Sequence, residues 1–118
     1  MVKYVLHSLP KWFPADGITF GKHIFMKNVA NAMILEHEMV HVRQQQEHPI
    51  WFWVSYLLLL PLGWNPWRRR WEGEAYAVQA KAGCPIDGDN GLAALMSSPA
   101  YLWMCRQKAA AAEIRKWL

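Results

Sequence analysis

The sequence predicts an α+β fold, mainly helical, with a small N-terminal β-sheet. Three observations predict it. Short β-branched and aromatic runs, broken by Pro10, Pro14 and the Asp16-Gly17 pair, occupy the first 26 residues. Apolar residues recur at helical spacing in the rest. Three of the helical stretches carry capping residues. With 118 residues the chain is just long enough to bury one core, so residues 1–118 are expected as a single domain.

The elements follow in order. Residues 2–7 (Val-Lys-Tyr-Val-Leu-His) suit a short strand. Ile18-Thr19-Phe20 and His23-Ile24-Phe25-Met26 flank Gly21-Lys22, and form either a hairpin or one strand bulged at Gly21. Asn28 or Asn31 can cap a helix over 31–47, on which Met33, Ile34, His37, Val40, His41 and Gln44 recur at helical spacing. Pro49 disfavours the helical conformation at His48 and ends it. Ile50 to Leu60 is the most apolar stretch, too short for the roughly 20 residues that cross a bilayer. It reads as a buried core helix. The alternative is a helix lying in a membrane interface, which its tryptophans suit.

Asn65 as N-cap and Pro66 at the first helical position open a helix over 66–82. Gly83 suits the left-handed position after it, and Pro85 prevents resumption. Asp87-Gly88-Asp89-Asn90-Gly91 is loop, without the later ligands of a calcium loop. A short helix near 91–97 follows. Ser98-Pro99 then repeats the capping signature and opens a final helix to about Trp117, which makes 84–118 a C-terminal helical segment.

The net charge is +4, and much of the local excess lies in Arg68-Arg69-Arg70 and the last dozen residues. No nucleic-acid motif accompanies the arginine run, which reads as a solvated helix face, so no nucleic-acid partner is expected. Eight tryptophans, many between Trp51 and Trp71, must either bury or present a large aromatic surface. Peripheral membrane contact through 50–71 is the corresponding partner reading. Cys84 and Cys105 lack the CxxC spacing of a zinc knuckle and read as reduced, partly buried thiols. The N-terminus shows no uninterrupted apolar region of a signal peptide, and a cytoplasmic location is expected.

The chemistry centres on His37-Glu38-Met39-Val40-His41. Residues four apart share one face of a helix, so His37 and His41 can offer imidazole nitrogens to one metal ion. Zinc accepts nitrogen and oxygen ligands in a tetrahedral site, and a catalytic site keeps one position for water. Glu38 projects about 100° around the helix from His37, beside the metal, where it can take a proton from water attacking a carbonyl. The motif is short, and arises by chance in roughly one such chain in a hundred.

A third ligand must come from elsewhere. The metzincin continuation needs a glycine three residues after the second histidine and a histidine six after it. Gln44 and Glu47 stand there, and that option fails. Asp87 and Asp89 lie in a loop without suitable surroundings. Glu72 and Glu74 sit on the well-capped 66–82 helix, with room before them for a crossing helix and a turn. Two residues apart, they cannot point the same way, so one of them is expected on the metal.

The His-Glu-x-x-His helix, followed about 30 residues later by Glu72-Gly73-Glu74-Ala75, resembles the gluzincin metallopeptidases. The pattern is most similar to the HtpX/CAAX-protease type and the single-domain minigluzincins. The resemblance covers roughly residues 17–82. It implies a minimal zincin-like domain with His37, His41 and Glu72 on zinc and Glu38 as general base. Tyr76 stands where that type carries an aspartate supporting the histidines, and a tyrosine hydroxyl could serve in part. The resemblance also implies an edge strand, here residues 18–26, that holds an extended peptide substrate. Glu74 is expected to be exposed or to pair helices. Tyr76 and His23 are the candidates for stabilising an oxyanion, and His7 and His48 are expected to be ordinary histidines.

The function expected is zinc-dependent hydrolysis of a peptide or protein substrate. Two rivals remain: a non-catalytic or latent zinc-binding module whose site is closed by 84–118, and a membrane-peripheral interaction protein.

Overall fold

The computed structural model of the protein describes residues 3–13, 16–58, 65–98 and 105–118, without the side chains of 57 and 58. The fold is α+β. Three four-residue strands come first: β1 (Val5–Ser8), β2 (Gly17–Phe20) and β3 (His23–Met26). Gly21, at φ +59°, makes the tight turn between β2 and β3, so the pair is a hairpin and not a bulged strand. The sheet order is β1-β3-β2, with β1 parallel and β2 antiparallel to β3. This corrects the reading of 18–26 as one edge. β3 is central, because β1 lies on its far side, so within the hairpin only β2 is an edge strand.

Helix α1 (Ala32–Glu47) is capped by Asn31, whose Oδ1 accepts from Ile34 N at 3.1 Å. It packs on β2, β3 and the later helix α3. Ile24, Met26 and Val42 form the apolar core between sheet and helix.

The segment after Pro49 departs from the uniform buried helix expected. One turn, α2 (Trp51–Trp53), passes directly into a π-helical stretch, Val54–Leu58. Phe52 and Ser55 are buried, but Ile50 and Trp51 are exposed. The backbone has other partners here: Asn65 Nδ2 donates to Ser55 O at 3.1 Å and Arg68 Nε to Tyr56 O at 2.9 Å. Carbonyls held from outside are released from the regular ladder, a common setting for a π-turn. The end of the apolar stretch, 59–60, lies outside the described residues.

Helix α3 (Pro66–Lys81) starts as its sequence dictates, with Asn65 Oδ1 accepting from Arg68 N at 2.9 Å and Pro66 at its first position. It ends in a Schellman motif: Cys84 N donates to Gln79 O and Gly83 N to Ala80 O, with Gly83 at φ +108°. The three arginines split between faces, since each step turns the helix by about 100°. Arg68 is buried with its guanidinium over the Tyr56 ring, Arg69 pairs with Glu113, and Arg70 is exposed. The run is therefore not one solvated face.

Helices α4 (Leu92–Met96) and α5 (Gln107–Lys116) pack against α3 around Tyr76, Ala77, Met96, Ala110 and Ile114. At Gly73 a Cβ would lie 2.5 Å from Glu113 Cγ, so the absent side chain is what lets α5 approach. The final helix does not run from Ser98-Pro99. Pro99 lies outside the described residues, and Arg106 is extended (φ −79°, ψ 155°), so the helix starts afresh at Gln107. Cys84 and Cys105 are free thiols. Among the described residues no helix is long and apolar enough to cross a membrane.

Candidate metal centre

Helices α1 and α3 meet through polar residues, and burial there demands partners. From α1, His37, Glu38, His41, Gln44 and Gln45 are buried; from α3, Glu72 is. Glu72 Oε1 lies 3.1 Å from His37 Nε2 and 3.0 Å from His41 Nε2. One ligand atom from each of the three residues falls within 4.8 Å of the others. The structure thus places Glu72 with the two histidines. Glu74 instead clamps the two helices, accepting from Arg43 Nη2 and from Gln44 Nε2 at 2.8 Å.

The proton inventory tests whether the cluster suits a metal. Gln44 Nε2 donates to Glu74 Oε1 and to Trp71 O, so Gln44 Oε1 faces His41 and accepts from its Nδ1–H at 2.9 Å. With Nδ1 protonated, a neutral His41 turns the Nε2 lone pair towards the carboxylate oxygen. Two acceptors at 3.0 Å need a cation between them, which is either a proton or a metal ion. Two imidazoles and a carboxylate, all buried, form a donor set that fits one divalent ion. Without metal the proton takes that place. Burial pulls His41 down, but the Glu72 carboxylate and its hydrogen bond outweigh this and raise its pKa to about 9. Burial pushes Glu72 up, and the two histidines more than reverse it, holding its carboxyl far below the usual range.

Residues around the cluster fix its geometry. Tyr56, on the π-helical stretch, donates to Glu72 Oε2 at 2.5 Å. Burial and the neighbouring carboxylate push its phenol pKa well above the ordinary value, so it stays a donor. Trp71 Nε1 donates to Ser55 Oγ at 2.9 Å and ties that stretch to α3. Thr19 of β2 donates to Glu38 Oε2 at 2.6 Å, and Glu38 Oε1 stands 3.9 Å from His37 Nε2. A Cβ on Gly17 would lie 3.0 Å from Glu38 Oε1, so a glycine keeps that oxygen clear.

Several other expectations are revised. Among the described residues Tyr76 meets the histidines through its ring, which packs edge-on against His37 at 4.2 Å, and His37 Nδ1 is buried with no hydrogen-bond partner among them. His23 is exposed on the sheet and shares a hydrogen bond with His7, whose ring stacks on Phe25. The flank of β2 is partly occupied, since Gln45 Nε2 donates to Thr19 O at 3.0 Å and Gly21 N donates to Gln45 Oε1. Nothing in the sequence marks Tyr56, Thr19 or Gln45 as part of the site. Gln44 carried a signal, lying three residues beyond His41 on the same helical stripe.

A family model, that of the eCIS core domain, matches residues 7–49. The matched stretch runs from β1 to the end of α1. It contains His37, Glu38 and His41 and stops short of Tyr56 and Glu72. No curated protein and no solved structure matches the chain.

Proposed function

We propose that the protein is a zinc-dependent peptidase of the gluzincin type. The observation that carries this reading is the convergence of His37 Nε2, His41 Nε2 and Glu72 Oε1, with Glu38 beside them. The nitrogen and oxygen donors suit zinc, which when bound supplies Lewis acidity to acidify a water and polarise a carbonyl.

The residues divide the remaining work. Thr19 occupies Glu38 Oε2 and so directs Oε1 towards the cluster. Glu38 accepts a proton at Oε1 from the attacking water as the new C–O bond forms. It then delivers that proton to the amine nitrogen as the C–N bond breaks. Tyr56 holds Glu72, and Gln44 holds His41, in the orientation that points both at one spot. An extended peptide would lie along β2 near Gly17, where the flank is not taken by Gln45.

A second reading is favoured by burial. His37, Glu38, His41 and Glu72 are 3, 4, 5 and 3 % exposed, as in a closed metal site that holds structure without turnover.

Metal analysis and a cleavage assay on an unfolded protein separate the readings, with His37→Ala and Glu38→Ala alongside. The peptidase is expected to carry about one zinc per chain, lost in His37→Ala and kept in Glu38→Ala, with cleavage abolished in both. Zinc held without cleavage by the parent protein would support the closed site. A protein that takes up no zinc at neutral pH refutes both.

A further inference from the structure

Away from the metal cluster, a cavity of about 300 Å³ is lined by His48, Trp51, Trp67, Arg70, Trp71, Glu74 and Trp117. That volume is at the small end of ligand sites, roughly 300–1,000 Å³. Residues 67, 70, 71 and 74 form a single stripe along α3. Trp51 comes from the corner after α1, and Trp117 from the end of α5. Four indoles from three places in the chain therefore converge on one hollow.

The rings are set as walls. Trp51 and Trp67 stand at right angles, 89°, with centroids 6.2 Å apart. Trp71 is pinned from behind by its bond to Ser55 and packs beside His48 at 5.6 Å. Right-angled indole walls suit a bulky, weakly hydrated cation, which each face attracts. A sugar would prefer a single flat platform. The charges add a second requirement. Glu74 also lines the cavity but is already engaged by Arg43, while Arg70 makes no ion pair or hydrogen bond among the described residues. The Arg70 guanidinium, exposed at the edge of the cavity, would repel a lone cation and suits a ligand that also carries an anion close to its cationic group.

The rim indicates where such a ligand resides. Ile50 beside Trp51 is 77 % exposed and Leu118 beside Trp117 is 58 % exposed; the two tryptophans are 44 and 39 % exposed. An apolar and tryptophan-rich border is the composition of a surface that seats at a lipid headgroup layer. We propose that this cavity binds the phosphocholine headgroup of a membrane lipid, with the trimethylammonium between the indoles and the phosphate on Arg70. This docks the protein peripherally and is independent of the peptidase reading.

The test is flotation of the whole protein with phosphatidylcholine vesicles and with phosphatidylglycerol vesicles, with soluble phosphocholine as competitor and tryptophan fluorescence as a second readout. Capture by phosphatidylcholine vesicles, displaced by millimolar phosphocholine, is expected. Trp117→Ala and Arg70→Gln should each weaken capture at least tenfold, and Trp117→Phe less, while zinc content and the circular dichroism spectrum stay unchanged. Soluble phosphocholine that shifts the fluorescence without vesicle capture would overturn the membrane assignment. Capture by phosphatidylglycerol alone, abolished by salt and indifferent to Trp117, would overturn the cavity as its cause, and no binding of either probe would overturn the whole proposal.

Discussion

Helix α3 has two faces that differ in kind. Towards α4 and α5 it presents Tyr76 and Ala77, which pack with Met96, Ala110 and Ile114. Towards α1 it presents Glu72 and Glu74, which meet His37, His41, Arg43 and Gln44. The first face loses apolar area from water and contributes stability whatever the pH or metal. The second buries acceptors and titratable rings whose interaction depends on which cation lies between them. One face holds the helix in place, and the other is free to be specialised because the first has done so.

The comparison breaks if the polar face turns out to be ordinary packing. Glu72→Gln tests this with the largest effect expected. It keeps the shape and removes the charge, so zinc uptake measured by competition with a chelator should fall beyond the range of any substitution around the site. Retained zinc with an unchanged affinity would show that Glu72 is not a ligand. The apolar face is tested by Ile114→Ala, which empties a fully buried side chain. Denaturant unfolding of the metal-free protein should show a loss of about 2–5 kcal/mol, while zinc affinity of the folded protein stays unchanged. A matching drop in zinc affinity would mean that the two faces are not separable.

Tyr56→Phe sharpens the boundary between the faces. The ring stays on Phe52 and under Arg68, and only the hydroxyl on Glu72 Oε2 is lost. Removing such a supporting bond weakens metal binding by about 10–100-fold. An unchanged affinity would make Tyr56 a packing residue alone.

The two faces also differ in how far they could be read from sequence. His37 and His41 are legible because both lie on one helix, where spacing alone determines the face. The 66–82 helix is legible through Asn65, Pro66 and Gly83, each local to its own end. Spacing alone does not separate Glu72 from Glu74, and only the resemblance does; a contact across 31 residues has no local signature. Tyr56 was out of reach for a different reason. Its direction depends on a π-helical register imposed by Asn65 and Arg68 from another helix, whereas periodicity assumes a regular one. The parallel return of β1 beside β3 is likewise long-range, and it turned an expected edge strand into a central one. The arginine run misled because composition sums over residues that a helix sends to different faces.

The smallest effect concerns protons, and its sign follows from the polar face. In the metal-free protein burial pulls His41 down, but Glu72 outweighs it and raises the pKa from 6.5 to about 9. A raised pKa contributes stability that is fully present below the unfolded value and is lost as pH climbs through the folded one. Glu72, held low, contributes stability present above its ordinary 4.5 and lost on acidification. Metal-free protein should therefore be most stable between about pH 4.5 and 6.5 and should lose stability from there to about 9. Zinc must displace the His41 proton, so its apparent affinity should rise by about tenfold per pH unit over that upper range and then level off. Thermal unfolding with chelator and with zinc, from pH 6 to 9.5, reads both trends at once. A falling slope with chelator and a nearly flat one with zinc are the expected result, because the gain in zinc affinity cancels the loss of the His41 proton's contribution; parallel slopes would mean that proton and metal do not compete for the space between His41 and Glu72, and the polar face would lose its claim to be a metal centre.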